Sequence, residues 1–120
     1  MGRYVTTRAE THQWLSRWIA GEVGPVDVWR WAVAQKEIAA QSGPEDALVR
    51  DIIDVLADLP QDLLIVEDAE VMIYGLENPP DEADLSQNLL WNHIDGIDTD
   101  ARRRSLRDDE FYGPYCGEVL

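Results

Sequence analysis

The segment from Glu45 to Leu59 constrains the fold more than any other part of the chain. Leu48, Val49, Ile52, Ile53, Val55, Leu56 and Leu59 fall on one broad arc when the residues are spaced 100° apart, which is the spacing of an α-helix. Asp51, Asp54 and Asp58 recur on the opposite side. An arc that wide needs several partners to cover it. The segment therefore predicts a helix that is buried except for one acidic ridge. Ser42-Gly43-Pro44-Glu45 precedes it as a break and restart, and Pro60 ends it because proline cannot donate the next helical hydrogen bond.

The flanking segments supply helices to cover that arc. Thr7-Arg8-Ala9-Glu10 has the spacing of a capping box, and Trp14, Leu15, Trp18 and Ile19 follow on one face of a helix from Arg8 to about Ala20. Gly21 and Gly24 interrupt it, and Pro25 suits the first turn of a second helix. There Val28, Trp31, Ala32, Ile38 and Ala39 share a side, Trp29 and Val33 widen it, and Arg30 and Glu37 point away. Residues 63–76 admit two readings, a pair of short strands forming a hairpin over 63–74 or a helix near whose start Asp68 acts as a cap. The lack of an Asn-Gly or Asp-Gly turn favours the helix.

Asn78-Pro79-Pro80 is a break, after which Asp81, Glu82 and Asp84 crowd the start of a helix carrying Leu85, Leu89, Leu90, Trp91 and Ile94. Acidic side chains are stabilised at that positive end of the helix dipole. Asp95-Gly96 stops it, and Asp98, Thr99 or Asp100 can cap a last helix over Ala101–Asp108. The aromatic tail Phe111-Tyr112-Gly113-Pro114-Tyr115-Cys116 is expected to be non-helical and packed on the domain. The fold class is mainly α: residues 1–120 form one acidic domain, a bundle of about five helices. Trp29 and Trp91, at the margins of their stripes, are the two tryptophans expected at the surface.

Charge narrows the partners. The chain has 24 acidic and 10 basic residues in 120, a formal net charge of -14. Most of the excess lies in the second half, and no Lys or Arg occurs between Arg50 and Arg102. Such a field repels nucleic acid and anionic membrane and attracts basic protein surfaces. The longest apolar run, Leu63-Leu64-Ile65-Val66, is far below the roughly 20 residues of a membrane span. Met1-Gly2-Arg3-Tyr4-Val5 lacks the apolar run of a secretory leader, and a single cysteine, Cys116, forms no internal disulfide. These features fit a reducing cytoplasm.

Known catalytic and metal spacings are missing from the sequence. His12 and His93 belong to no zinc motif, and His12 falls off the apolar face. Asp95-Gly96-Ile97-Asp98-Thr99-Asp100 is dense in carboxylates but places glycine directly after the first Asp and Leu106 where a calcium loop needs a bidentate Glu. It reads as a turn into a helix cap. Arg102, Arg103, Arg104 and Arg107 are expected to pair with the neighbouring carboxylates Asp98, Asp100, Asp108, Asp109 and Glu110. There is no nucleophile elbow and no phosphate loop. No cofactor or metal is expected, and no catalytic residue is assigned.

Trp14-Leu15, Trp18-Ile19, Gly21-Glu22 and Val28-Trp29-Arg30-Trp31-Ala32, followed by the acidic helix Asp51 to Leu59, resemble the small acidic helical immunity proteins of bacterial toxin systems. The resemblance implies a cytoplasmic inhibitor that covers a toxin's active site or a neighbouring surface, and it carries over no site residue. The expected function is non-catalytic binding of a basic protein, such as a toxin or nuclease. Asp51, Asp54 and Asp58 form the expected ridge, with Glu67, Asp68 and Glu70 as a neighbouring patch. Two alternatives remain open: a nucleic-acid mimic acting on a DNA- or RNA-binding protein, and a small enzyme or metal protein.

Overall fold

The computed structural model describes residues 8–42 and 47–116, without the side chains of residues 38–42, 80 and 83. Among the described residues six α-helices follow in order: α1 (Arg8–Ile19), α2 (Pro25–Ser42), α3 (Ala47–Ala57), α4 (Val66–Glu77), α5 (Ala83–Asp95) and α6 (Thr99–Leu106). Single 3-10 turns occupy Pro80–Glu82 and Gly113–Tyr115. No strand occurs among the described residues, so 63–74 is not a hairpin. The mainly helical bundle agrees with the sequence reading. Thr7 of the expected capping box, the Gly43-Pro44-Glu45 restart and the first residues of the chain lie outside the described set.

α3 occupies the middle of the bundle, packed against α2, α4 and α5. Its seven-residue arc is buried throughout, Val55 being the most accessible at 5%. Each such side chain contributes roughly 1.5–3 kcal/mol relative to an exposed one, so α3 is the chief source of hydrophobic stabilisation. α1 lies along α4 and α2 along α3. α1 buries Thr11, Leu15 and Trp18, while Ile19, expected on the same face, is 37% exposed. The apolar stripe sits one turn earlier than the sequence suggests. Trp14 is half-buried, its ring stacked on Trp31 at 5.4 Å, and Trp31 Nε1 donates to Glu10. α2 buries Val28, Trp31, Ala32 and Gln35; Ile38 and Ala39 belong to α2, with side chains outside the described set.

Two reversals hold the layers in place. α1 ends where Glu22 N donates to Arg17 O and Gly21 N to Trp18 O, with Gly21 at φ +80°, the left-handed position that glycine fills without steric cost. After Pro60 the same pair of bonds recurs, Leu64 N to Leu59 O and Leu63 N to Pro60 O, but here Leu63 takes the left-handed position at φ +56°. A leucine is held there because its side chain is 1% exposed and its carbonyl accepts from Arg102. Burial and that bond offset a conformation that costs roughly 1–2 kcal/mol for a residue with a Cβ.

The tail packs as expected, except that Gly113–Tyr115 makes one 3-10 turn. Asp109 accepts from the Phe111 and Tyr112 amides and sets up the turn. Phe111 and Tyr115 then lie 5.9 and 6.5 Å from Trp29. Trp29 is therefore half-buried, not displayed, with its Nε1 donating to Ala57 O. Trp91, at 40% exposure, is at the surface as expected. Cys116 is buried, its thiol directed at Tyr112 O.

Candidate functional site

The helical phase that buries Ile52 and Leu56 turns Asp51, Asp54 and Asp58 outward, between α2 on one side and α5 on the other. Asp58 is exposed, and Asp54 is half-buried with its Oδ1 4.0 Å from Lys36 Nζ on α2. Asp51 is half-buried on the α5 side, where its Oδ2 accepts from Gln87 Nε2 at 2.7 Å and from Trp91 Nε1 at 3.1 Å. The exposed indole is thus fixed against one end of the acidic ridge. At the other end the exposed Asp62 adds a fourth carboxylate, its amide bonded to Asp58 O at 2.9 Å. Desolvation and the Asp58 charge raise its pKa above 3.8. Pro60 separates Asp62 from the α3 repeat, so helical spacing does not mark it.

Beside the ridge, α2 and α3 enclose a shallow hollow of about 390 Å³ lined by Val33, Lys36, Glu37, Ala57 and Asp58. A second, of about 370 Å³, is lined by Trp29, Arg30 and Val33. Val33 borders both hollows, and Asp58 is the member of the acidic row that borders the first.

The second expected patch is divided by the structure. Glu67 and Glu70 are exposed on α4, but Asp68 is fully buried and belongs to no exposed surface. It stands at the third position of α4, where its Oδ2 accepts from the Ile65 amide at 2.8 Å and so caps the helix start. Arg102 grips the same carboxylate with two bonds, Nη1 to Oδ2 at 2.6 Å and Nη2 to Oδ1 at 3.0 Å. His93 Nε2 lies 2.6 Å from Oδ1. A carboxylate can only accept, so that nitrogen carries the hydrogen. Burial by itself raises the Asp68 pKa; the bonds from Arg102, the Ile65 amide and His93, with the Arg102 charge, outweigh it and hold the carboxyl below 3.8.

This network corrects the expected pairing of the arginines. Arg103 does pair locally, with Asp100 at 3.3 Å, but Arg102 reaches Asp68 and the Leu63 carbonyl instead. The signal was present in the sequence: Asp68 precedes Met72 by four residues and so shares its buried face. Asp98 Oδ1 accepts from the Ala101 amide at 3.0 Å, so the carboxylate-rich turn is the start of α6. Among the described residues, no three His, Cys, Asp or Glu side chains converge to hold a metal ion.

Ser16 Oγ lies 3.2 Å from His12 Nδ1, whose Nε2 lies 3.4 Å from Glu77 Oε1. The order of groups is that of a hydrolytic triad, but it joins two helix surfaces where His12 and Glu77 are 41% and 63% exposed. A polar tie between α1 and α4 accounts for it.

No helix among the described residues is long and apolar enough to cross a membrane. In comparisons with known proteins, no family model, curated protein or solved structure matches the chain.

Proposed function

We propose that the chain is a non-catalytic binding module of the immunity type, which masks a basic protein such as a toxin or nuclease with its acidic surface. One observation carries the reading: Asp51 and Asp54 on the outer face of α3 and Asp58 in the turn directly after it form a row, which ends on an exposed tryptophan that Asp51 holds in place. Tryptophans with fixed orientation are favoured at the energetic centres of interfaces because they cover much area with little entropy left to lose. Carboxylates around such an anchor attract arginine and lysine, which also pair with the indole face.

Of the four carboxylates, only Asp54 has a cation within 4.0 Å among the described residues. The row therefore keeps most of its charge for a partner. α3 supplies one row, which suits local complementarity; imitation of a nucleic-acid backbone asks for two at phosphate spacing. The test is affinity capture from a lysate of the native host at low salt, with salt-gradient elution and mass spectrometry. The expected outcome is a basic protein released by moderate salt. Capture of that protein undiminished by charge reversal at Asp51, Asp54 and Asp58 would refute the ridge assignment.

A further inference from the structure

α4 and α5 run antiparallel, and their register is set by two contacts. Gly75 closes on Ser86, whose Oγ donates to Gly75 O at 3.2 Å, and Asp68 meets His93 two turns away. A Cβ at Gly75 would lie 3.6 Å from Ser86 Cβ, so the helices are close here. In this register the helical phase places Val71 and Tyr74 on the flank of α4 that borders α5, and Leu85 and Leu89 on the facing flank of α5. Tyr74 is 63% exposed, Leu85 54% and Leu89 38%. Four apolar side chains thus line one outward groove, on the flank of α5 opposite Trp91.

The charges around this groove have one sign. Glu67 and Glu70 border it on α4, and the exposed Asp81 and Glu82 close the end where the helices join. Two arginines that reach α4 bond inward: Arg8 donates to the Leu76 and Asn78 carbonyls, and Arg102 to Asp68. A second copy of the chain, at -14, brings like charge to an acidic rim and is disfavoured by repulsion.

We infer that the α4–α5 groove docks an amphipathic cationic helix of a protein partner, with leucine-like side chains against Tyr74, Leu85 and Leu89 and Lys or Arg over the acidic rim. Helix-in-groove recognition places apolar anchors at i, i+3, i+4 and i+7, and the lining from Val71 to Leu85, about one and a half helical turns long in this register, seats three consecutive anchors of that pattern. This surface is separate from the α3 ridge and does not depend on it.

The probe is a labelled synthetic peptide with leucines at i, i+3, i+4 and i+7 and lysines elsewhere, titrated with the full chain by fluorescence anisotropy. Wild type is expected to bind it. Leu85→Ser with Leu89→Ser should weaken binding at least about tenfold, as should replacing the peptide's leucines by serine at unchanged charge. Asp51→Asn, Asp54→Asn and Asp58→Asn together should weaken the leucine and serine peptides by the same factor, since the ridge offers them charge but no leucine contact. Far-UV circular dichroism checks the fold of the double variant, and Tyr74→Ser, at the most exposed position, is the substitute if that fold is lost. The inference is overturned if wild type does not bind, if the serine peptide binds equally, or if the groove variants bind like wild type. It is overturned too if sedimentation shows a dimer that Leu85→Ser with Leu89→Ser abolishes, since the occupant is then a second copy.

Discussion

Replacing Asp68 by alanine should cost more stability than any single change to a charged side chain outside the Asp68–Arg102 pair among the described residues. Asp68 is fully buried, and its carboxylate accepts from two Arg102 nitrogens, the Ile65 amide and His93. Deleting it leaves the Arg102 guanidinium, whose side chain is 15% exposed, without its counter-ion and the start of α4 without its cap. Removing one partner of a buried ion pair costs about 3–5 kcal/mol, a large part of a total of roughly 5–15 kcal/mol. Urea unfolding followed by tryptophan fluorescence reads the loss directly. With a slope of about 1–3 kcal/mol per molar, the midpoint should fall by roughly 1–5 M or the chain should fail to fold. Arg102→Met should be about as damaging, because it strands a carboxylate at 0% exposure and also frees the Leu63 carbonyl. The double variant should lose less than the two single losses added together.

The pH dependence has a definite sign. Asp68 has a folded pKa below its ordinary 3.8, so its contribution is complete above that value and is lost as pH falls below it toward the folded pKa. Wild type should weaken across that acid window, and Asp68→Ala should weaken less. A stability loss below about 1 kcal/mol for Asp68→Ala, the range of a surface ion pair, would refute the view that this network holds α4, α5 and α6 together.

Two further changes test the C-terminal packing. Tyr112→Phe removes the hydroxyl that donates to the Leu64 carbonyl in a buried setting, and should cost about 1–3 kcal/mol in the same assay. Burial, with the Asp109 and Asp68 charges, lifts the Tyr112 pKa well above 10.0, so wild-type stability should fall as pH rises past 10 and the Phe variant should lose that component. Gly113→Ala would place a Cβ 2.8 Å from the Arg107 carbonyl oxygen, a contact between backbone atoms and a rigid methyl. It should lower the melting temperature by an amount equivalent to about 1–3 kcal/mol.

α3 was legible in the sequence because a single periodicity decided seven side chains at once, and the same phase located Asp51, Asp54 and Asp58. Where contacts between distant segments decide the outcome, the sequence misleads. Trp29 is covered because a tail more than 80 residues away folds over it, and nothing local to Trp29 marks this. Asp68 lay in an acidic run, Glu67-Asp68-Ala69-Glu70, whose members look alike as a string; helical phase separates the buried one from its exposed neighbours. Arg102 was assigned to nearby carboxylates, yet desolvation favours the partner that satisfies two of its nitrogens at once. The apolar groove between α4 and α5 needed the register of two helices, which spacing within either one does not supply.

The most direct test of the proposed function is the association rate of the captured basic partner, measured for wild type and for the Asp51→Asn, Asp54→Asn, Asp58→Asn variant at about 0.01 M and about 0.15 M salt, where the screening length falls from roughly 30 to 8 Å. The account predicts a wild-type rate that drops steeply with salt and a variant that associates about tenfold or more slowly at low salt, with a flatter dependence. Equal rates and equal salt dependence for the two proteins would contradict it.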